Sequence, residues 1–116
     1  MSPPDTLETC QQLVLIPLNA IASANDHIAL GGLRALEAGR GVPDHVAVTG
    51  FCDCEIGRFA EPPLTSVCFD IAMMGIIAAR RLCLLLEARD AQAWLTLLPT
   101  SLTVRVSSGP ASAGGC

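Results

Sequence analysis

Between Ala20 and Gly50 two short apolar runs flank one helix-patterned segment, and this alternation restricts the fold more than any other feature. Ala20, Ile21, Ala22 and Ser23 form a short apolar run with a β-branched member, as a buried parallel strand requires. Asn25 and Asp26 follow, and side-chain oxygens there accept from the free N–H groups of a helix's first turn. The spacing predicts a helix over 26–38, with Ala29, Leu33 and Leu36 on one face and Gly32 allowing close approach. Gly39 and Gly41 end it. Val42-Pro43-Asp44 is a turn, and Val46, Ala47, Val48 and Thr49 make a second apolar strand stopped by Gly50. Strand, helix, strand is a βαβ unit, so the two strands should lie parallel.

The rest of the chain is read around this unit. Residues 6–15 carry helical spacing up to Pro17, within a helix and linker assigned to 1–18. Residues 51–66 read as loop, with one helical turn near 55–60 and a rigid Pro62-Pro63 that cannot sit inside a central strand. Ile71, Met74, Gly75, Ala78, Leu82 and Leu85 then give the strongest helical periodicity, over 70–88. Leu84 and Leu86 make that helix apolar over most of its circumference, so it wants cover on two sides. Residues 96–98 and 102–106 are strand candidates around Pro99. The main domain portion is thus 19–106, and 107–116 is expected to be a disordered tail of Gly, Ser, Ala and Pro.

Length and charge exclude several functions. A chain of 116 residues allows one domain, and its 51% apolar content is enough for a core. The net charge is −4, and all seven basic residues are scattered arginines. Nucleic-acid binding needs a clustered positive face, which these residues do not supply. No basic-then-apolar leader opens the chain, and Arg80 and Arg81 interrupt the best membrane-span candidate. A cytoplasmic protein with no membrane association is expected.

Six cysteines invite a disulfide framework, but their positions, from Cys10 through a helical Cys83 to the terminal Cys116, suit reduced thiols better. Cys52-x-Cys54 suggests metal, yet His27, His45, Cys68 and Cys10 fall at no signature spacing, so small apolar thiols are preferred and neither metal nor cofactor is expected. There is no nucleophile elbow, Gly-rich phosphate loop, His-x-x-x-His pair or close carboxylate couple, which argues against an enzyme.

Three segments, in order, carry a family resemblance. The first is Ala20-Ile-Ala-Ser-Ala-Asn-Asp26 with Ile28-Ala-Leu-Gly-Gly-Leu-Arg-Ala-Leu36. The second is Val42-Pro-Asp-His-Val-Ala-Val-Thr-Gly-Phe51, Asp53, and Pro62-Pro-Leu-Thr-Ser-Val67. The third is Leu97-Leu-Pro-Thr-Ser-Leu-Thr-Val-Arg105. Together they resemble the closing part of the effector-binding core of lactose-repressor (LacI/GalR) transcription regulators, over about three quarters of the chain. The resemblance implies an α/β domain with a small, mostly parallel sheet and flanking helices, part of a periplasmic-binding-protein-like type I (Rossmann-like) fold. It implies a homodimer sensing a sugar or a sugar acid such as gluconate. It implies DNA contact only through a helix-turn-helix, for which this chain has no room. The helix over 70–88 would belong to a second lobe, which would account for its excess apolar surface. The rivals are a periplasmic-type sugar-binding protein of a transporter and a truncated fragment that dimerises without sensing.

The resemblance also implies site residues. Asn25 matches an effector-contacting Asn, although the same side chain can simply cap the helix. At Cys52 the commoner pattern has Asp. The sequence 51–56 is closer to a minority branch, Gly-Phe-Gly-Asp-Phe-Glu-Ile, which includes gluconate-type repressors. Cys52 and Asp53 are therefore effector candidates, with a thiol as the poorer hydroxyl acceptor. Phe69 either stacks on a sugar face or fills the core, and Asp70 reads best as a helix cap. Leu30, Ile56, Phe59 and Ala60 match positions near the family's dimer interface.

Overall fold

A computed structural model of the chain describes residues 19–37, 39, 41–87 and 95–110. The helix read over 6–15 lies outside them. Strand β1 (Ala20–Ala22), helix α1 (Asp26–Leu36) and strand β2 (Ala47–Phe51) form the βαβ unit, with β1 and β2 parallel and Ile21 opposite Val48. Helix α1 starts where its sequence sets it. Asn25 is extended, at φ −155°, and its Oδ1 accepts from the Ile28 amide at 2.9 Å. Asp26, Ala29, Gly32, Leu33 and Leu36 are its buried stripe. That stripe packs on Val46, Val48 and Leu64 to form the core, with Ile21, Leu30, Val42 and Ala60 at its margin.

Two elements differ from the sequence reading. Residues 65–69 are strand β3 (Thr65–Phe69), parallel to β2 with Phe51 opposite Val67. Thr65 and Ser66 are buried there as polar residues, and this hid an apolar strand pattern. Pro62 and Pro63 lie just before the strand, where their missing N–H groups cost the ladder nothing. The second difference is β4 (Thr100–Thr103), antiparallel to β3, with Phe69 opposite Thr100. Residues 96–98 carry no strand assignment. The sheet therefore runs β1-β2-β3-β4, with its first two pairs parallel and the last antiparallel. Between β2 and β3 lies the short helix α2 (Glu55–Arg58).

Helix α3 (Ile71–Glu87) follows β3. Asp70 caps it, its Oδ1 accepting from the Met73 amide at 2.8 Å. None of its residues is buried, and Leu82 and Leu86 are 58% and 77% exposed. The supposed tail needs correction at its start. Residues Val106–Ser108 make a 3-10 turn, and Ser107 is completely buried. Its amide donates to the Pro63 carbonyl at 3.0 Å, and its hydroxyl donates to the Val48 carbonyl at 2.6 Å while accepting from the Thr65 amide at 2.8 Å. Small polar residues read as having nothing to bury; here the buried group is a hydroxyl that joins two strands.

Candidate functional site

The carboxyl ends of β1, β2 and β3 carry Asn25, Cys52 with Asp53, and Phe69 respectively, at the edge of the sheet where open α/β folds bind ligands. The turn after β2 is the most constrained of these. Cys52 and Asp53 both have positive φ, 94° and 49°, a region that costs a side-chain-bearing residue about 1–3 kcal/mol. Three successive amides hold the turn. Cys52 donates to the Val67 carbonyl at 2.9 Å, Asp53 to Ser66 Oγ at 3.0 Å, and Cys54 to Asp26 Oδ2 at 2.6 Å.

Asp26 is the hub beneath that turn. It is completely buried, and Ser66 donates its hydroxyl to Asp26 Oδ1 at 2.6 Å. A buried carboxylate survives only with such partners. Its place in the first turn of α1 also sets it against that helix's positive end. Gly50 makes the room: a Cβ there would collide with Asp26 Oδ1 and Leu64. Reading the sequence alone treated Asp26 as a helix starter and missed Ser66. The glycines at 50 and 57, both facing Asp26, were the available signal.

Asp53 was expected to meet the effector, and in this structure its carboxylate is taken up by the protein. It is 9% exposed, with Arg105 Nη1 2.6 Å from Oδ1 and Arg58 Nη2 3.3 Å from Oδ2. Contact with the Arg105 guanidinium holds its carboxyl below the usual range. Burial opposes this, and the charges of Arg105 and Arg58 reinforce it. Arg58 is half-exposed, so its pairing is weakened by solvent. Burial, helped by the Asp26 charge, pushes the Cys54 thiol up, away from reactivity. Cys52, Cys54, Cys68 and Cys83 are free thiols, and no group of three or more His, Cys, Asp or Glu is gathered among the described residues.

The remaining site residues separate into two places. Phe69 lies with Phe51, ring centroids 5.4 Å apart and tilted by 42°, beside a 430 Å³ apolar cavity that Met74, Ile77 and Leu97 also line. Asn25, Cys52 and Asp53 do not line that cavity. Asn25 has its side-chain oxygen committed to the helix cap, which leaves its amide NH2 as the group for other contacts. The residues read as an interface do come together. Leu30, Ile56, Phe59 and Ala60 line one groove of about 410 Å³ between α1 and the α2 region, where Phe59 is 81% exposed.

The same fold recurs in known proteins. Residues 3–108 match a family described as a periplasmic binding protein-like domain. The lactose operon repressor of Klebsiella pneumoniae is 40% identical over 108 residues, covering 91% of this chain and 30% of the relative. A solved complex of the transcriptional regulator CelR with cellobiose superposes with a TM-score of 0.78 at 34% identity, over 88% of this chain and 32% of its own. The lac repressor dimer bound to operator and the anti-inducer ONPF gives 0.78 at 30% identity, over 90% and 32%. The chain therefore spans about a third of the length of each of these proteins. They are regulators and repressors, not enzymes, in line with the lack of catalytic motifs. No helix among the described residues is long and apolar enough to cross a membrane.

Proposed function

The chain belongs to the LacI family of transcriptional regulators, and from that premise we propose that it serves as the closing part of an effector-sensing, dimer-forming domain. The observation that supports this reading is the locked turn after β2, which holds Cys52 at the carboxyl end of the parallel strands with positive φ and three bonded amides. Such preorganisation lowers the ordering cost of binding. CelR is solved with cellobiose, and the ligand class proposed here is likewise a sugar or a sugar acid. A sugar acid such as gluconate is favoured within that class. Cys52 offers a poor hydroxyl acceptor, and the neighbouring Asp53 carboxylate is already paired with two arginines, so no free carboxylate at this turn would repel an acid.

Calorimetric titration and thermal shift of the full-length protein with gluconate and with cellobiose test this. A bound ligand at a hundred times its Kd raises stability by about 2.7 kcal/mol, so gluconate should lift the melting temperature by several degrees. Tighter binding of cellobiose would overturn the sugar-acid assignment, and no response to either would overturn sensing.

The groove of Leu30, Ile56, Phe59 and Ala60 supports the homodimer part of the proposal. Phe59→Glu should convert a dimer to monomer in sedimentation. A wild-type monomer, or a dimer unmoved by the change, contradicts it. Operator contact has no counterpart within these residues, whose arginines are scattered and whose net charge is −4. It would rest on a helix-turn-helix elsewhere in the full-length protein.

A further inference from the structure

We propose that Arg105, at the exit of β4, is a positioning residue for the ligand-end turn, holding Cys52 in its left-handed conformation through Asp53. The inference rests on the sensing role proposed above for that turn. It starts from the backbone of Arg105, which is itself fixed. The Arg105 amide donates to Thr65 Oγ1 at 2.8 Å, and Thr65 Oγ1 lies 3.0 Å from the Arg105 carbonyl and 2.6 Å from Ser108 Oγ. A side chain leaving so fixed a backbone has few places to go. Its Nη1 donates to the Leu64 carbonyl at 2.7 Å and meets Asp53 Oδ1 at 2.6 Å. The guanidinium thus bridges the residue before β3 to the residue after Cys52.

The pair is sheltered, with side-chain exposures of 17% for Arg105 and 7% for Asp53, so it is screened less than a surface pair. Asp53 Oδ1 is buried without a hydrogen-bond partner among the described residues, and the Arg105 guanidinium is the cation in contact with it. The Asp53 amide is held separately by Ser66 Oγ. Asp53 is consequently tied at its amide from β3 and at its carboxylate from the segment that follows β4. That double tie opposes the relaxation of Cys52 to an ordinary φ. The Arg58 contact is longer and half-exposed, and contributes less.

The thiol of Cys52 reports on the turn without any ligand. On the full chain, the alkylation rate of Cys52 by iodoacetamide, resolved by mass spectrometry, should rise at least threefold in Arg105→Gln and in Asp53→Asn. The rate at Cys83, exposed on α3, should not change. Arg105→Lys, which retains the charge, should restore part of the protection, and Arg58→Gln should move Cys52 little. An unchanged Cys52 rate in Arg105→Gln and Asp53→Asn overturns the proposal. So does an equal rise at Cys52 and Cys83, because that marks a general loosening. Where the wild type binds gluconate or cellobiose, Arg105→Gln should weaken that ligand at least fivefold, and undiminished affinity also overturns it. Where the wild type binds neither, the sensing role fails, while the Cys52 rates still decide whether Arg105 positions the turn.

Discussion

Cys52 sits at φ 94°, where an L side chain is strained and glycine is at ease. Cys52→Gly should therefore stabilise the fold by about 0.5–1 kcal/mol, the relief being offset in part by greater freedom of the unfolded chain. Urea unfolding measures it, and a lower midpoint would show that the thiol's contacts outweigh the strain. Asp53 gives a prediction in pH. Its carboxyl is depressed from the usual 3.8 by Arg105, so its contribution is fully present above that value and is lost as pH falls through the lower folded value. Asp53→Asn should accordingly lower the urea midpoint at neutral pH, and its difference from wild type should shrink as pH falls below about 4. A gap that stays constant with pH would mean that shape, not charge, holds the turn. These residues were unevenly legible. Asn25, Asp26 and Asp70 announce themselves as helix starters by type and position. The Arg105–Asp53 pair joins residues far apart in sequence, and no local pattern relates them.

At the level of elements, periodicity found what apolar side chains build and missed what polar ones build. Helix α1 and the parallel pair β1–β2 follow from Ala29, Leu33, Leu36, Val46 and Val48, all buried as their spacing requires. Strand β3 instead opens with Thr65 and Ser66, whose burial rests on hydrogen bonds to Ser107, Arg105 and Asp26. The 3-10 turn Val106–Ser108 was invisible for the same reason. Ser107 supplies one hydroxyl to two buried backbone groups, the Val48 carbonyl and the Thr65 amide. Ser107→Ala would leave both without that partner and should cost about 2 kcal/mol, since each stranded buried group carries its own desolvation penalty. Ser107→Thr keeps the hydroxyl and should lose less. Chemical denaturation of the two variants separates them, and an alanine variant as stable as wild type would show that water replaces the hydroxyl.

At the scale of the molecule, the described residues cover the sheet unequally. One face carries α1 and the described core of Ala29, Leu33, Leu36, Val46, Val48 and Leu64. Helix α3 buries none of its residues, although Ile71, Met74, Leu82, Leu84 and Leu86 make it strongly apolar. The sequence stated this imbalance in advance, because a helix apolar around most of its circumference needs two covered sides. A helix that leaves this much apolar surface uncovered by the described residues is a surface for association. A polypeptide of these 116 residues should then bind a hydrophobic dye such as ANS strongly and associate as concentration rises. Leu82→Glu combined with Leu86→Glu removes two exposed apolar side chains that lie on one helix face, four residues apart. Dye binding and light scattering should both fall while the urea midpoint of the core stays within about 0.5 kcal/mol of wild type, as for surface changes in general. A large drop in that midpoint would instead reveal that α3 is packed in solution, and that the apolar face already has its cover.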